Sequence, residues 1–148
     1  PARGGRWEGG GGELSWRGYV EVWGEAVSAD APFHVRSHPD LAKKFGFYPS
    51  VDPQPLYEQA AEACAAAGRM VEVNASGSYY ACKEMFPAPA LLAAFCRAGV
   101  PCTVGTDAHV PANVARDIEK AYRLMYEAGY RTVTVPTADG DRRALAIE

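Results

Sequence analysis

The sequence predicts an α/β fold in which about four parallel strands alternate with helices. Three observations carry that reading. Short apolar stretches of strand character begin near residues 33, 70, 101 and 131, about 30 to 37 residues apart, the spacing of βα units in a parallel sheet. Segments with helical periodicity fill the gaps between them. Apolar residues make up 48% of the 148-residue chain and charged residues 22%, enough apolar material for a real core.

Tyr19, Trp23, Ala26 and Val27 recur at helical spacing, which predicts a helix over 16–28. Phe33-His34-Val35-Arg36 has strand character, with His34 read as structural. Pro53 and Pro55 suit a helix start, the run from Leu56 to Ala67 is rich in Ala and Glu, and Gly68 stops it. Met70 to Asn74 alternates like a strand, with Glu72 pointing away from Val71 and Val73. Residues 88–98 form a helix ended by Gly99, and 101–105 the next strand. Residues 111–128 form a long amphipathic helix, with Val114, Ile118, Ala121, Tyr122, Met125 and Tyr126 on one side and Gly129 at its end. Arg131 to Val135 is a strand. Asp139-Gly140 signals a turn, after which 144–147 pairs back as a hairpin.

The opening PARGGRWEGGGG holds six of the 15 glycines and offers little to bury. Residues 1–15 read as a disordered lead or a non-native junction and 16–148 as the folded part, and in that glycine-rich setting Trp7 and Trp16 have no evident role. No apolar run reaches the roughly 18 residues of a membrane span, and residues 1–15 lack the apolar core of a signal peptide. Net charge is −3, so no basic surface advertises nucleic acid. The cysteines Cys64, Cys82, Cys96 and Cys102 form no CxxC or other zinc spacing and no disulfide framework, which fits a reducing, cytoplasmic setting.

Active sites of parallel α/β folds lie at the C-terminal ends of the strands. Ser37-His38-Pro39-Asp40 follows the first strand, Asn74-Ala75-Ser76-Gly77 the second and Thr106-Asp107-Ala108-His109 the third, so these segments converge on one face. Asp107 and His109 are ligand types for Zn, Mn or Fe, and an extended Asp-x-His projects both side chains to one side. The same spacing also fits an Asp capping the next helix beside a surface His. His38 is either a ligand or a structural histidine, and Asp40 is read as capping the turn into LAKKFG. Lys43 and Lys44, a turn beyond His38, suit an anionic substrate or are simply solvated. Asn74 and Ser76 either bond substrate or serve turn chemistry.

The segments SHPDLAKKFG, VEVNASG and VGTDAHVPANV, in this order, resemble the polymerase-and-histidinol-phosphatase (PHP) superfamily, and FPAPALLAAFCRAGVPCTVGTDAH resembles its histidinol-phosphatase branch. The match runs from about residue 17 to 130. The resemblance implies a distorted (β/α)7 barrel of which this chain is the C-terminal part. A barrel usually takes about 250 residues, which agrees with that expectation. It implies a site with up to three divalent metals and hydrolysis of L-histidinol phosphate to L-histidinol and phosphate, late in histidine biosynthesis. By motif, His38, Asp107 and His109 become metal ligands, Lys43 or Lys44 the basic phosphate-binding residue, and Asn74 and Ser76 the pocket border. The partner is then a small-molecule phosphate ester, with no nucleic acid and no membrane. Phe33-His34-Val35 departs from the family's Phe-Asp-Val, and Thr106 replaces its usual Ser. The family's opening His-x-His, a bridging Glu and a further His have no counterpart among His34, His38 and His109, so the metal cluster is expected to be incomplete in this chain. The alternatives are a different PHP-type phosphoesterase and a truncated, non-catalytic fragment.

Overall fold

A computed structural model describes the backbone of residues 11–29 and 32–148, and side chains from Trp16 onward. Ten residues of the expected glycine-rich lead, 1–10, lie outside the described residues. Residues 11–15 belong to the first helix, α1 (Gly11–Ser28), which starts earlier than the periodicity from Tyr19 indicated. Packing anchors the helix at Trp16. Trp16 is 1% exposed and its ring lies 5.7 Å from that of Tyr57 on α2 (Gln54–Ala66). One turn pair further on, Trp23 meets Phe95 of α3 (Pro89–Arg97) at 5.7 Å. The two tryptophans therefore tie α1 to two other helices through large aromatic surfaces.

The strands β1 (Val35–Arg36), β2 (Met70–Asn74) and β3 (Cys102–Gly105) form one parallel sheet in the order β1-β2-β3. Val35 pairs with Met70, Val71 with Cys102 and Asn74 with Gly105. The side-chain alternation of a strand gives this sheet two unlike faces. Val71, Val73 and Cys102 are fully buried in one core cluster with α1, α2, α3 and α4 (Ile118–Ala128). Glu72 and Asn74 project from the other face, as the alternation around Val71 and Val73 required.

Three expectations are corrected. The first strand is two residues long, and His34 lies outside it, exposed, its carbonyl accepting the Met70 N–H at 2.9 Å. The helix expected over 111–128 begins only at Ile118. Pro111–Asn113 is a separate 3-10 turn, and Asp117 before the helix has φ 60°, so the chain changes direction there. Ala121 and Met125 are buried as expected, whereas Val114 and Tyr126 are exposed. The fourth strand, β4 (Thr132–Pro136), does not join the parallel sheet. It pairs antiparallel with β5 (Arg142–Ala146) in a two-stranded sheet, so among the described residues the parallel strands number three. The local hairpin satisfies the β4 backbone at short sequence separation. Among the described residues no helix is long and apolar enough to cross a membrane.

Candidate active site

Parallel pairing brings the C-terminal ends of β1, β2 and β3 to one edge, and the residues just beyond them share that edge. Beyond β1, the chain turns through His38, whose φ is 53°. Its carbonyl accepts from the Tyr19 hydroxyl of α1 at 2.5 Å, and the neighbouring Ser37 carbonyl accepts from Trp23 Nε1 at 3.2 Å. Helix α1 thus fixes the turn that presents the imidazole. The His38 ring packs edge-on against Phe86 at 5.4 Å. Phe86 is held in turn by two backbone bonds with Asn74, Asn74 N–H to Phe86 O at 2.6 Å and Phe86 N–H to Asn74 O at 3.1 Å.

Beyond β3, Asp107 also has a left-handed backbone, with φ 51°. A non-glycine residue in this region costs on the order of 1–2 kcal/mol, and such residues concentrate at functional sites. His38 Nε2 lies 3.8 Å from Asp107 Oδ2, too long for a hydrogen bond. The His38 Nδ1 is buried and has no partner among the described residues. His109 Nδ1 lies 2.8 Å from the Asp107 carbonyl. A carbonyl can only accept, so Nδ1 carries the proton and Nε2 keeps its lone pair for a ligand. Among the described residues, no three His, Cys, Asp or Glu side chains close around one point. The structure therefore brings His38 and Asp107 together and leaves His109 exposed beside them.

The other expected residues separate into two kinds. Asn74 is buried, its Nδ2 donating to Glu72 Oε1 at 2.7 Å and its Oδ1 accepting the Ser76 N–H at 3.0 Å. It caps the 3-10 turn Ala75–Tyr79, so both ends of its amide are committed to the fold. Ser76 is buried and its hydroxyl has no partner among the described residues. Lys43 is 1% exposed, and its ammonium meets Asp40 Oδ2 at 2.9 Å, Glu84 Oε2 at 2.6 Å and the Met85 carbonyl at 2.7 Å. These three acceptors use all three of its protons. Lys44, half-buried, sits over the Tyr80 ring at 4.2 Å. Asp40 makes no side-chain bond to cap its own turn. It accepts instead from the Ala88 N–H at 2.7 Å, at the start of α3. Burial pushes the Asp40 carboxyl above its usual range, against the downward pull of the Lys43 ammonium.

Sequence alternation placed Glu72 opposite Val71 and Val73 and assigned it no partner. It is the residue that links the strand ends, accepting from Ser37 Oγ beyond β1 and from Asn74 on β2, and lying over Gly105 of β3. Tyr79 and Asp117 were not singled out. The Tyr79 hydroxyl donates to Asp117 Oδ2 and the Arg116 guanidinium stacks on the Tyr79 ring, so the 3-10 turn after β2 holds the segment that follows His109. The positive φ of Asp117 has no sequence signal.

The edge just described defines an α/β protein with carboxylate and imidazole groups gathered at the ends of parallel strands. A solved structure with this fold is histidinol phosphate phosphatase from Lactococcus lactis subsp. lactis, complexed with zinc, L-histidinol and phosphate. It matches with a TM-score of 0.69 at 24% identity, over 84% of this chain and 49% of that one. In sequence, the chain is 34% identical over 111 residues to a probable histidinol-phosphatase from Deinococcus radiodurans, 74% of this chain and 42% of that protein. The chain is thus a relative of the histidinol-phosphatases, as its ordered motifs indicated, and it spans less than half the length of either relative. No family model matches it.

Proposed function

We propose that the ends of β1, β2 and β3 form part of a metal-dependent phosphomonoesterase site of the histidinol-phosphatase type, in a distorted β/α barrel. The reaction is hydrolysis of L-histidinol phosphate to L-histidinol and phosphate, in a cytoplasmic setting. The observation that carries this reading is the pairing of His38 and Asp107. Two donors bound to one zinc ion lie no more than about 4.2 Å apart. His38 Nε2 and Asp107 Oδ2, at 3.8 Å, meet that limit, and among the described residues neither has a closer partner that competes for it. His109, with Nε2 free, stands next to them as a further donor.

A divalent ion held by these groups would supply neutralisation of charge on the phosphoryl oxygens and activation of a water. The rest falls to the chain itself. Tyr19 and Trp23 hold the His38 turn, Phe86 sets the plane of its ring, and Asp107 fixes the tautomer of His109 through its carbonyl. Lys44 is the lysine we assign to the phosphate, since Lys43 has no proton to spare. The Ser76 hydroxyl, unpartnered, is assigned to the pocket border.

A second reading, a partial site without turnover, is supported by the absence of a closed three-ligand group among the described residues. The test is zinc titration of the chain, with phosphate release measured from L-histidinol phosphate, p-nitrophenyl phosphate and a nucleotide. Stoichiometric zinc with selective hydrolysis of L-histidinol phosphate supports the first reading. Zinc binding without turnover supports the second, and preferential nucleotide hydrolysis points to a different phosphoesterase. A chain that takes up no zinc overturns the assignment of His38 and Asp107.

A further inference from the structure

We propose that Lys43 is a positioning residue for His38, acting from within the protein rather than on substrate. The inference rests on the reading of His38 as a metal ligand. The Lys43 ammonium touches two segments at once. Through Asp40 Oδ2, at 2.9 Å, it holds the turn that begins at His38. Through Glu84 Oε2, at 2.6 Å, and the Met85 carbonyl, at 2.7 Å, it holds the segment leading to Phe86. Phe86 is the wall against which the His38 ring packs, 5.4 Å away, and the Lys43 ammonium itself lies 5.4 Å from the centre of the Phe86 ring.

Both determinants of the imidazole position therefore meet at one buried charge. The backbone turn is one, and the aromatic wall is the other. Asp40 is fully buried and strengthens the link, because the oxygen that meets Lys43 also accepts the Ala88 N–H at 2.7 Å, two residues beyond Phe86. Lys44, the neighbouring lysine, makes none of these contacts and rests on Tyr80. Partners that orient a metal-ligating histidine typically change metal affinity by roughly 10–100-fold when removed.

The chain has only three histidines, so His34 and His109 serve as internal controls for His38. Imidazole 15N spectra of the full chain without added metal, for wild type, Lys43→Met and Glu84→Gln, test the proposal. The expected result is displacement or broadening of the His38 signals in both variants, larger in Lys43→Met, with His34 and His109 unmoved. In zinc titrations Lys43→Met then binds roughly 10–100-fold more weakly than wild type. Unmoved His38 signals in a folded Lys43→Met chain, or equal displacement of all three histidines, overturn it. If Lys43→Met does not fold, Glu84→Gln decides alone, because Glu84 is one-third exposed and its loss leaves Asp40 paired. A wild-type chain that binds no zinc defeats the ligand role of His38, while the spectra still decide whether Lys43 sets its position.

Discussion

The carboxylate of Glu72 lies across the backbone of Gly105, on the strand next to its own. A Cβ at Gly105 would overlap the Glu72 carboxylate, so the glycine is what lets this side chain lie flat between the ends of β1 and β3. From there it accepts from Ser37 and Asn74. We expect Gly105→Ala to displace Glu72 and break both bonds, lowering stability by about 1–3 kcal/mol. Urea unfolding measures this, and an unchanged midpoint would show that Glu72 has another place to go.

Asp107 invites the opposite experiment. Its left-handed backbone is a conformation that glycine adopts freely. Asp107→Gly is expected to raise stability by about 0.5–1 kcal/mol, the relief of strain less the entropy that glycine loses on folding. The same change should lower zinc retention. Parallel thermal melts and metal analysis would separate the two effects; a loss of stability would mean that the carboxylate serves the fold.

Trp16 is expected to matter far more to the fold than its place beside a run of glycines indicates. Its burial against Tyr57 joins α1 to α2. Trp16→Ala should cost about 3–5 kcal/mol. A loss below about 1 kcal/mol in chemical denaturation would remove α1 from the core.

Alkaline stability follows from groups that the core keeps protonated. Burial pushes the Cys64 thiol from 9.0 up to about 12, and burial together with the Asp40 charge pushes the Tyr19 phenol from 10.0 up to about 12. Tyr57, Tyr130 and Cys102 are raised by burial as well. The unfolded chain releases these protons first, so it binds fewer of them than the folded chain. Stability is therefore full below about pH 9 and falls as pH rises from 9 towards 12, by about 1.4 kcal/mol per pH unit for a thiol such as Cys64. Urea midpoints at pH 8, 10 and 11 check the sign; a rising midpoint contradicts it.

The sequence was most legible where a single periodicity governs an element. Met70–Asn74 alternates, α3 is apolar on one side, and both stand where the pattern put them. It was less legible where local and distant interactions compete. The pattern over 111–128 continues through Val114, yet Pro111 and the left-handed Asp117 divide it, and only the backbone reveals the second break. β4 reads like any other strand, and its choice of β5 over β3 depends on pairing. Strand-end position anticipated that His38 and Asp107 lie near each other, because parallel pairing brings such ends to one edge. Adjacent lysines could not be told apart, since which one turns inward depends on Asp40 and Glu84, the latter 41 residues further along the chain from Lys43.

The two unlike faces of β2 have a consequence for how this protein can change. Val71 and Val73 answer to the helices, whereas Glu72 and Asn74 answer to the strand ends, and the pleat keeps the two pairs apart. Substitution at Glu72, half-buried, reaches the strand-end bonds without entering the core, whereas substitution at Val71 or Val73 opens the core itself. A five-residue strand thus serves the helices with one side and the strand-end edge with the other.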